Sequence, residues 1–170
     1  MNTAYLLRRQ YSRQYTACGF NQCYIYRGKR ALKAISILYP WGNMIANGEK
    51  YLEIRSWHPD TLPLKNIALV QNNIRLTKEI NNDPDGQIIA IIDIISSRPW
   101  KKEDCKKSGC EESQFSEGFL AWEIKNVRKL TQPIKAVAKR RFYDLSEIER
   151  NNLKLVVDKE VITEIYQFMY

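Results

Sequence analysis

The sequence predicts an α+β fold: a small mixed β-barrel with one helix inserted near its N-terminus and flanking C-terminal helices. Five or six short apolar or alternating segments, typical of strands, lie within residues 34–137. Only one helical pattern interrupts them, whereas a layered parallel sheet needs sustained alternation of strands and helices. Helical spacing of apolar residues returns only in the tail.

The first elements are predicted from local signals. Ala34–Leu38 is an apolar run typical of a strand, Pro40 suits the start of a helix, and Gly48 suits its end. The segment 51–57 then alternates and predicts a second strand with Leu52 turned to the core. The other face of this strand carries Tyr51, Glu53, Arg55 and Trp57.

The later strands are predicted from apolar content and breakers. Ile67–Val70 is a short buried strand, and Gln87–Ile95 is apolar on both faces, as in a central strand. Phe119–Leu130 alternates and predicts another strand. Because proline cannot donate to a ladder, Pro133 is expected to end that pairing, with Ile134–Val137 as a separate strand.

Charge divides the chain into three predicted parts. The 170 residues carry a net charge of +8, but residues 1–30 hold six basic and no acidic residues, which leaves +2 for the rest. We predict a flexible basic N-terminal arm at 1–30, the barrel at 31–140, and a helical extension packed on the barrel at 141–170. The predicted buried stripe of that extension is Leu155, Val161, Ile162, Ile165 and Phe168.

The same charge pattern bears on partners and location. A basic excess favours an anionic partner, with nucleic acid first. The nearly balanced body argues against strong nonspecific duplex binding, which scales with the number of phosphates neutralised, and favours a small selective site. The sequence has no apolar run long enough for a membrane span, and a cytoplasmic location without membrane contact is expected.

Metal ligands are sparse. The four cysteines are Cys18, Cys23, Cys105 and Cys110, with no CxxC spacing, and His58 is the single histidine. Structural zinc sites need four clustered ligands. The sequence therefore predicts no metal and no cofactor.

The residues richest in chemistry follow Gly48. Lys50 is expected at the helix–strand junction, with Glu53 and Arg55 side by side on the next strand and Trp57 beside them. A cation, a carboxylate and a guanidinium together can bind phosphate or a planar base, or prepare a lysine for proton transfer. The alternative is an ion pair that only closes the exposed face of the strand.

The run AISILYPWGNMIANGEKYLEIRSW resembles the opening of the ASCH domain, the activating-signal-cointegrator homology domain of the PUA-like superfamily. The family signature, Gly-x-Lys-x-x-x-x-Arg after a Pro-Trp helix, is matched here by Gly48, Lys50 and Arg55 after Pro40 and Trp41. The resemblance spans residues 32–138 and includes GQIIAIIDIISSRPW and GFLAWEIKNVRKLTQPI. It implies a PUA-like β-barrel.

The resemblance also implies that RNA or other nucleic acid, or a modified nucleoside, binds in a cleft lined by the signature strand. The predicted contact residues, some on the signature strand and some at the barrel rim, are Lys50, Glu53, Arg55, Trp57, Trp41 and Arg98.

Two alternatives remain. One relative in the family is an amidohydrolase that removes the acetyl group from N4-acetylcytidine with a Lys, a Thr and a later Glu. Lys50 matches that Lys, but Glu53 replaces the Thr, so a metal-independent hydrolase here would use Lys50, Glu53 and Glu117. The other alternative is that the barrel is a protein-interaction module with a vestigial cleft. Separately, the C-terminal helices could offer a surface for a protein partner.

Overall fold

The computed structural model describes residues 31–156. The basic arm, the second helical pattern of the tail, and four positions of the predicted stripe lie outside the described residues.

The described chain contains eight strands, three α-helices and two short 3-10 helices, Lys102–Asp104 and Glu112–Gln114. The strands are β1 Lys33–Leu38, β2 Leu52–Arg55, β3 Leu64–Asn72, β4 Asn82–Asp83, β5 Gln87–Pro99, β6 Leu120–Lys135, β7 Ala138–Lys139 and β8 Phe142–Asp144. The helices are α1 Trp41–Ala46, α2 Cys105–Ser108 and α3, helical over residues 147–156.

Six strands form one sheet in the order β2-β6-β5-β3-β1-β8, and β4 pairs with β7 in a separate two-stranded sheet. β1 and β3 run parallel, and every other pair is antiparallel. The large sheet curls into a half-barrel. The predicted mixed barrel with a helix after its first strand is therefore confirmed, and its two edge strands are β2 and β8.

The core fills the inside of the curl. Ile35, Leu69 and Ile92 from three strands pack there with Ile45 of α1 and the fully buried Trp122 of β6. α1 covers this cluster, and the short segment 47–51 connects the helix to β2. That arrangement fixes where the residues after Gly48 emerge.

β6 is longer than the sequence predicts. It runs unbroken from Leu120 to Lys135 through Pro133, so the expected break there is wrong. Ile88 pairs with Ile134 while Ala90 pairs with Lys129, which leaves several β6 residues opposite Ile89 in a bulge. A proline inside a bulge has no ladder hydrogen bond to give up, and the strand continues.

Helix α3 is tied to the end of β6 and to the barrel. Ser146 and Glu149 form a reciprocal cap, and Glu149 also accepts a 2.7 Å hydrogen bond from the Val137 amide. Leu153 is fully buried, whereas Leu155 is 60% exposed, so its predicted burial is wrong. Within the described turns of α3, the buried leucine is Leu153.

Candidate functional site

A cavity of about 650 Å³ opens where β2, the end of β3 and the β7–β8 segment meet. Five of the six predicted contact residues line it: Lys50, Glu53, Arg55, Trp57 and Trp41. The local backbone explains part of this convergence. Gly48 adopts a φ of +75°, and the Lys50 amide donates to the Met44 carbonyl, which turns the chain from α1 into β2.

The inner wall of the cavity carries an ion triad, which we call the inner triad: Lys50, Glu53 and Arg55. Lys50 Nζ lies 3.0 Å from Glu53 Oε2, and Arg55 Nε lies 3.0 Å from Glu53 Oε1. Lys50 is only 3% exposed. Burial disfavours the charged carboxylate, but the Lys50 ammonium and the Arg55 guanidinium outweigh it and hold the pKa of Glu53 below its ordinary value.

Arg55 also bridges two strands of the half-barrel. Its Nη2 donates a 2.8 Å hydrogen bond to the Ser36 carbonyl of β1. The Ser36 hydroxyl lies 3.0 Å from the Tyr143 hydroxyl and accepts a bond from the Lys139 amide. Burial raises the pKa of Tyr143 to about 12. Ser36 thus joins β2, β7 and β8 beside the cavity.

The aromatic residues of the cavity differ in their freedom. Trp57 packs edge-on against Trp122 and Phe142, with ring centroids 4.7 and 5.5 Å away, and the Arg141 guanidinium lies 5.3 Å from its ring centroid. The Trp41 indole donates to the Gly109 carbonyl at 3.1 Å. Both rings are half-buried against the core cluster, but only Trp57 is also packed between other aromatic rings, which leaves Trp41 as the candidate for stacking on a ligand.

Four basic residues that line the cavity were not among the predicted contact residues. Arg75 follows β3, Lys139 ends β7, and Arg140 and Arg141 lie between β7 and β8. With Lys50 and Arg55 they give the cavity six basic side chains against one carboxylate, Glu53. For three of these residues, the sequence did contain a signal: residues 139–141 are consecutive basic residues at the end of the predicted barrel. The nearly neutral body thus concentrates positive charge in one place.

Asn72 at the end of β3 adds an unused acceptor to the cavity wall. It is 3% exposed, and its Nδ2 donates a 2.6 Å hydrogen bond to the Ile74 carbonyl. Its Oδ1 is buried without a hydrogen-bond partner among the described residues. Buried acceptors are normally satisfied, so a donor from a ligand or a water would complete this one.

Two predicted residues are not brought to this cavity. Arg98 is held by Asp104, with 2.6 and 2.8 Å bonds to its two carboxylate oxygens, and lines a separate cavity of about 310 Å³ with Tyr51 and Lys107. Glu117 is exposed in the turn before β6 and lines neither cavity. Arg98 lies near the end of β5 and is held by Asp104 of the loop that follows, and Glu117 lies later in that same loop.

Other kinds of site find no support among residues 31–156. Within that range, no group of three or more His, Cys, Asp or Glu side chains is arranged to hold a metal ion. None of the helices in the described part of the chain is long and apolar enough to cross a membrane.

A curled mixed sheet with a helix inserted after β1, and a polar cavity beside that helix, define a PUA-like module. The family model of the ASCH domain matches residues 35–134, and the chain belongs to the ASCH domain family. The match begins within β1, ends one residue before the end of β6, and includes the inner triad.

Solved structures agree in fold. The crystal structure of ASCH from Zymomonas mobilis superposes with a TM-score of 0.52 at 15% identity, over 75% of this chain and 96% of that one. A mutant of the Zymomonas mobilis protein gives a TM-score of 0.51 at 14% identity, over 75% of this chain and 99% of that one. No curated protein sequence matches the chain significantly.

Proposed function

We propose that this ASCH domain binds single-stranded RNA, or a free nucleotide or modified nucleoside, with one base inside the cavity of about 650 Å³. The observation that carries the proposal is the charge of that cavity, with six basic side chains and one carboxylate on its wall. Phosphate esters are the anions that lysine and arginine recognise in nucleic acids.

The shape of the site favours a single strand over a duplex. Sequence-selective RNA recognition targets unpaired bases that can leave the stack and rest against an aromatic side chain. Trp41 offers such a surface on the cavity wall, and Asn72 Oδ1 offers an acceptor for an exocyclic amino group. A duplex would leave both groups unused.

A binding assay tests this proposal. The full chain would be titrated into a fluorescently labelled eight-nucleotide single-stranded RNA and into the matching duplex, with anisotropy as the readout. We expect tighter binding to the single strand and a linear fall of log affinity with log salt concentration. Equal affinity for both forms, or no binding to RNA and nucleosides of any sequence, would contradict the proposal.

The amidohydrolase alternative has less structural support. A lysine nucleophile must be a free amine, whereas Lys50 serves as the cation in a salt bridge to Glu53. The proposed third member, Glu117, lies outside the cavity. Release of cytidine from N4-acetylcytidine during incubation with the protein, followed by chromatography, would favour the hydrolase instead.

A further inference from the structure

The basic residues of the cavity fall into two groups with different surroundings. Lys50 and Arg55 are already neutralised in part by Glu53 and are bonded to neighbours. Arg75 and Arg140 are exposed, and neither makes a hydrogen bond or a close salt bridge with another described residue, although Arg140 attracts the Glu79 carboxylate over a longer distance and helps to lower its pKa. Arg141 is also exposed, and its contact is with the Trp57 ring. We call Arg75, Arg140 and Arg141 the outer arginines.

A short second sheet holds the outer arginines together. Arg75 lies in the loop between β3 and β4, and Arg140 and Arg141 follow β7. β4 pairs with β7, with Asp83 opposite Ala138, so the two loops leave the same sheet. Residues more than sixty positions apart are thereby placed on the wall of one cavity.

The loop that carries Arg75 is also fixed at its base. The buried Asp83 carboxylate accepts hydrogen bonds of 2.9 Å from the Asn73 amide and of 2.9 Å from the Asp85 amide. These bonds close the loop on itself and link it to β4. A loop anchored in this way loses little entropy when its arginine engages a ligand.

The other loop is fixed by backbone conformation. Arg141 adopts a φ of +57°, in the left-handed region that residues with a Cβ rarely occupy. The Lys139 amide donates a 3.0 Å bond to Ser36 Oγ, which ties the segment to β1. Sparsely populated backbone conformations persist where the surrounding structure holds them, and they are frequent at ligand sites.

We infer that the outer arginines form a phosphate-binding subsite at the solvent side of the cavity, while the inner triad holds the barrel closed and contacts no phosphate. This inference rests on the proposed function and divides its site in two. Guanidinium groups bind phosphate oxygens through paired N–H donors, and none of these three donates to a carboxylate within salt-bridge distance among the described residues. The attraction between Arg140 and Glu79 acts over a longer distance and leaves the guanidinium donors of Arg140 available. The phosphate lies outside, and the base enters toward Trp41 and Asn72.

The experiment compares two probes on the full chain: labelled single-stranded RNA and pyrophosphate, which carries no base. The test variant is Arg75→Gln with Arg140→Gln, and the matched control is Lys65→Gln, an exposed β3 cation that does not line the cavity. Circular dichroism melting checks that each variant is folded. We expect all of them to fold, since none of the three substituted side chains is buried.

We expect the double variant to bind RNA roughly tenfold or more weakly, since removal of one charged hydrogen bond weakens binding by about that factor. Its slope of log affinity against log salt should flatten by about 0.7 for each phosphate that the variant no longer neutralises. Pyrophosphate binding should weaken in parallel, and Lys65→Gln should match the wild type in both assays.

The outcomes separate the inference from the proposed function. RNA binding by the double variant with unchanged affinity and salt slope would overturn the subsite and leave the RNA proposal standing. Pyrophosphate binding that depends on the outer arginines, in a protein that binds no RNA or nucleoside, would support the subsite and overturn the RNA proposal. Failure of the wild type to bind pyrophosphate, RNA or any nucleoside would overturn both.

Discussion

Arg55 and Ser36 close the half-barrel: Arg55 Nη2 donates a 2.8 Å hydrogen bond to the Ser36 carbonyl. β2 and β1 share no ladder, since β2 pairs with β6 and β1 pairs with β3 and β8. The arginine of the family signature therefore spans a gap that main-chain hydrogen bonds leave open. Its Nε also contacts Glu53, so the Arg55 side chain links the inner triad to β1.

We predict that Arg55→Lys destabilises the fold even though it keeps the charge. A lysine ammonium lacks the planar fork that reaches Glu53 and Ser36 together, and one charged hydrogen bond is worth about 1.5–3 kcal/mol. The free energy of unfolding in urea at pH 7 measures the loss. Arg75→Lys, at an exposed position without an ion pair, is the control and should change it by less than about 0.5 kcal/mol. Equal stability of the two variants would contradict the bridging role.

Glu53→Gln should be strongly destabilising at neutral pH because it leaves the buried Lys50 ammonium without its carboxylate. Removal of one partner of a buried pair costs roughly 3–5 kcal/mol. The free energy of unfolding in urea is again the measurement. The control is Glu112→Gln, which removes a well-solvated pair with Lys102 and should cost under about 1 kcal/mol.

The pH dependence of the same group has a definite sign. The pKa of Glu53 is lowered in the folded chain, so its stabilising contribution is present above the ordinary glutamate pKa of about 4.3. That contribution is lost as the pH falls through the folded-state value. The difference in unfolding free energy between wild type and Glu53→Gln should therefore shrink in acid. A difference that stays constant from pH 7 down to the acid transition would argue against the ion triad.

Trp41 is expected to stack on a bound base. Trp41→Phe keeps an aromatic face and should bind single-stranded RNA nearly as well as the wild type. Trp41→Leu should lose about 1–3 kcal/mol of binding free energy, the usual worth of one base–aromatic stack. Both variants lose the indole bond to Gly109, so they control for each other's structural cost. If Trp41→Phe and Trp41→Leu bound RNA with the same affinity, Trp41 would not be a stacking residue of the RNA-binding surface.

Helix α3 should depend on the reciprocal cap formed by Ser146 and Glu149. Ser146→Ala should lower the free energy of unfolding by about 0.5–2 kcal/mol, as for other N-caps. Glu149→Gln should lower it as well, because the amide binds the Val137 and Ser146 amides less strongly than the carboxylate does. Glu147→Gln, exposed on the same helix, is the control, and a loss of equal size there would discount the cap.

Much of the inner site followed from local spacing. Residues two apart on a strand share a face, so Glu53 and Arg55 had to lie together, and Gly48 had to release the chain near Lys50. The outer arginines could not be found this way. Arg75 and Arg140 line the same cavity because β4 and β7, of two residues each, pair across the chain, and such short strands have no periodicity. The uninterrupted β6 was missed for a similar reason, since the bulge that accommodates Pro133 is visible only in the register with β5. The basic arm, the three-part domain division and the cytoplasmic location stay predictions.

The gap between β2 and β1, which share no main-chain ladder, also bears on self-association. An exposed strand edge invites pairing with another copy of the chain, and long, flat, apolar edges are the most hazardous. Here the two edge strands of the large sheet are short: β2 has four residues and β8 has three. β2 also carries Glu53 and Arg55, two members of the inner triad. The charges that shape the ligand cavity therefore also make this edge a poor template for a further strand. Loss of the hydrogen bond from Arg55 to the Ser36 carbonyl would therefore make the protein more prone to aggregation as well as less stable.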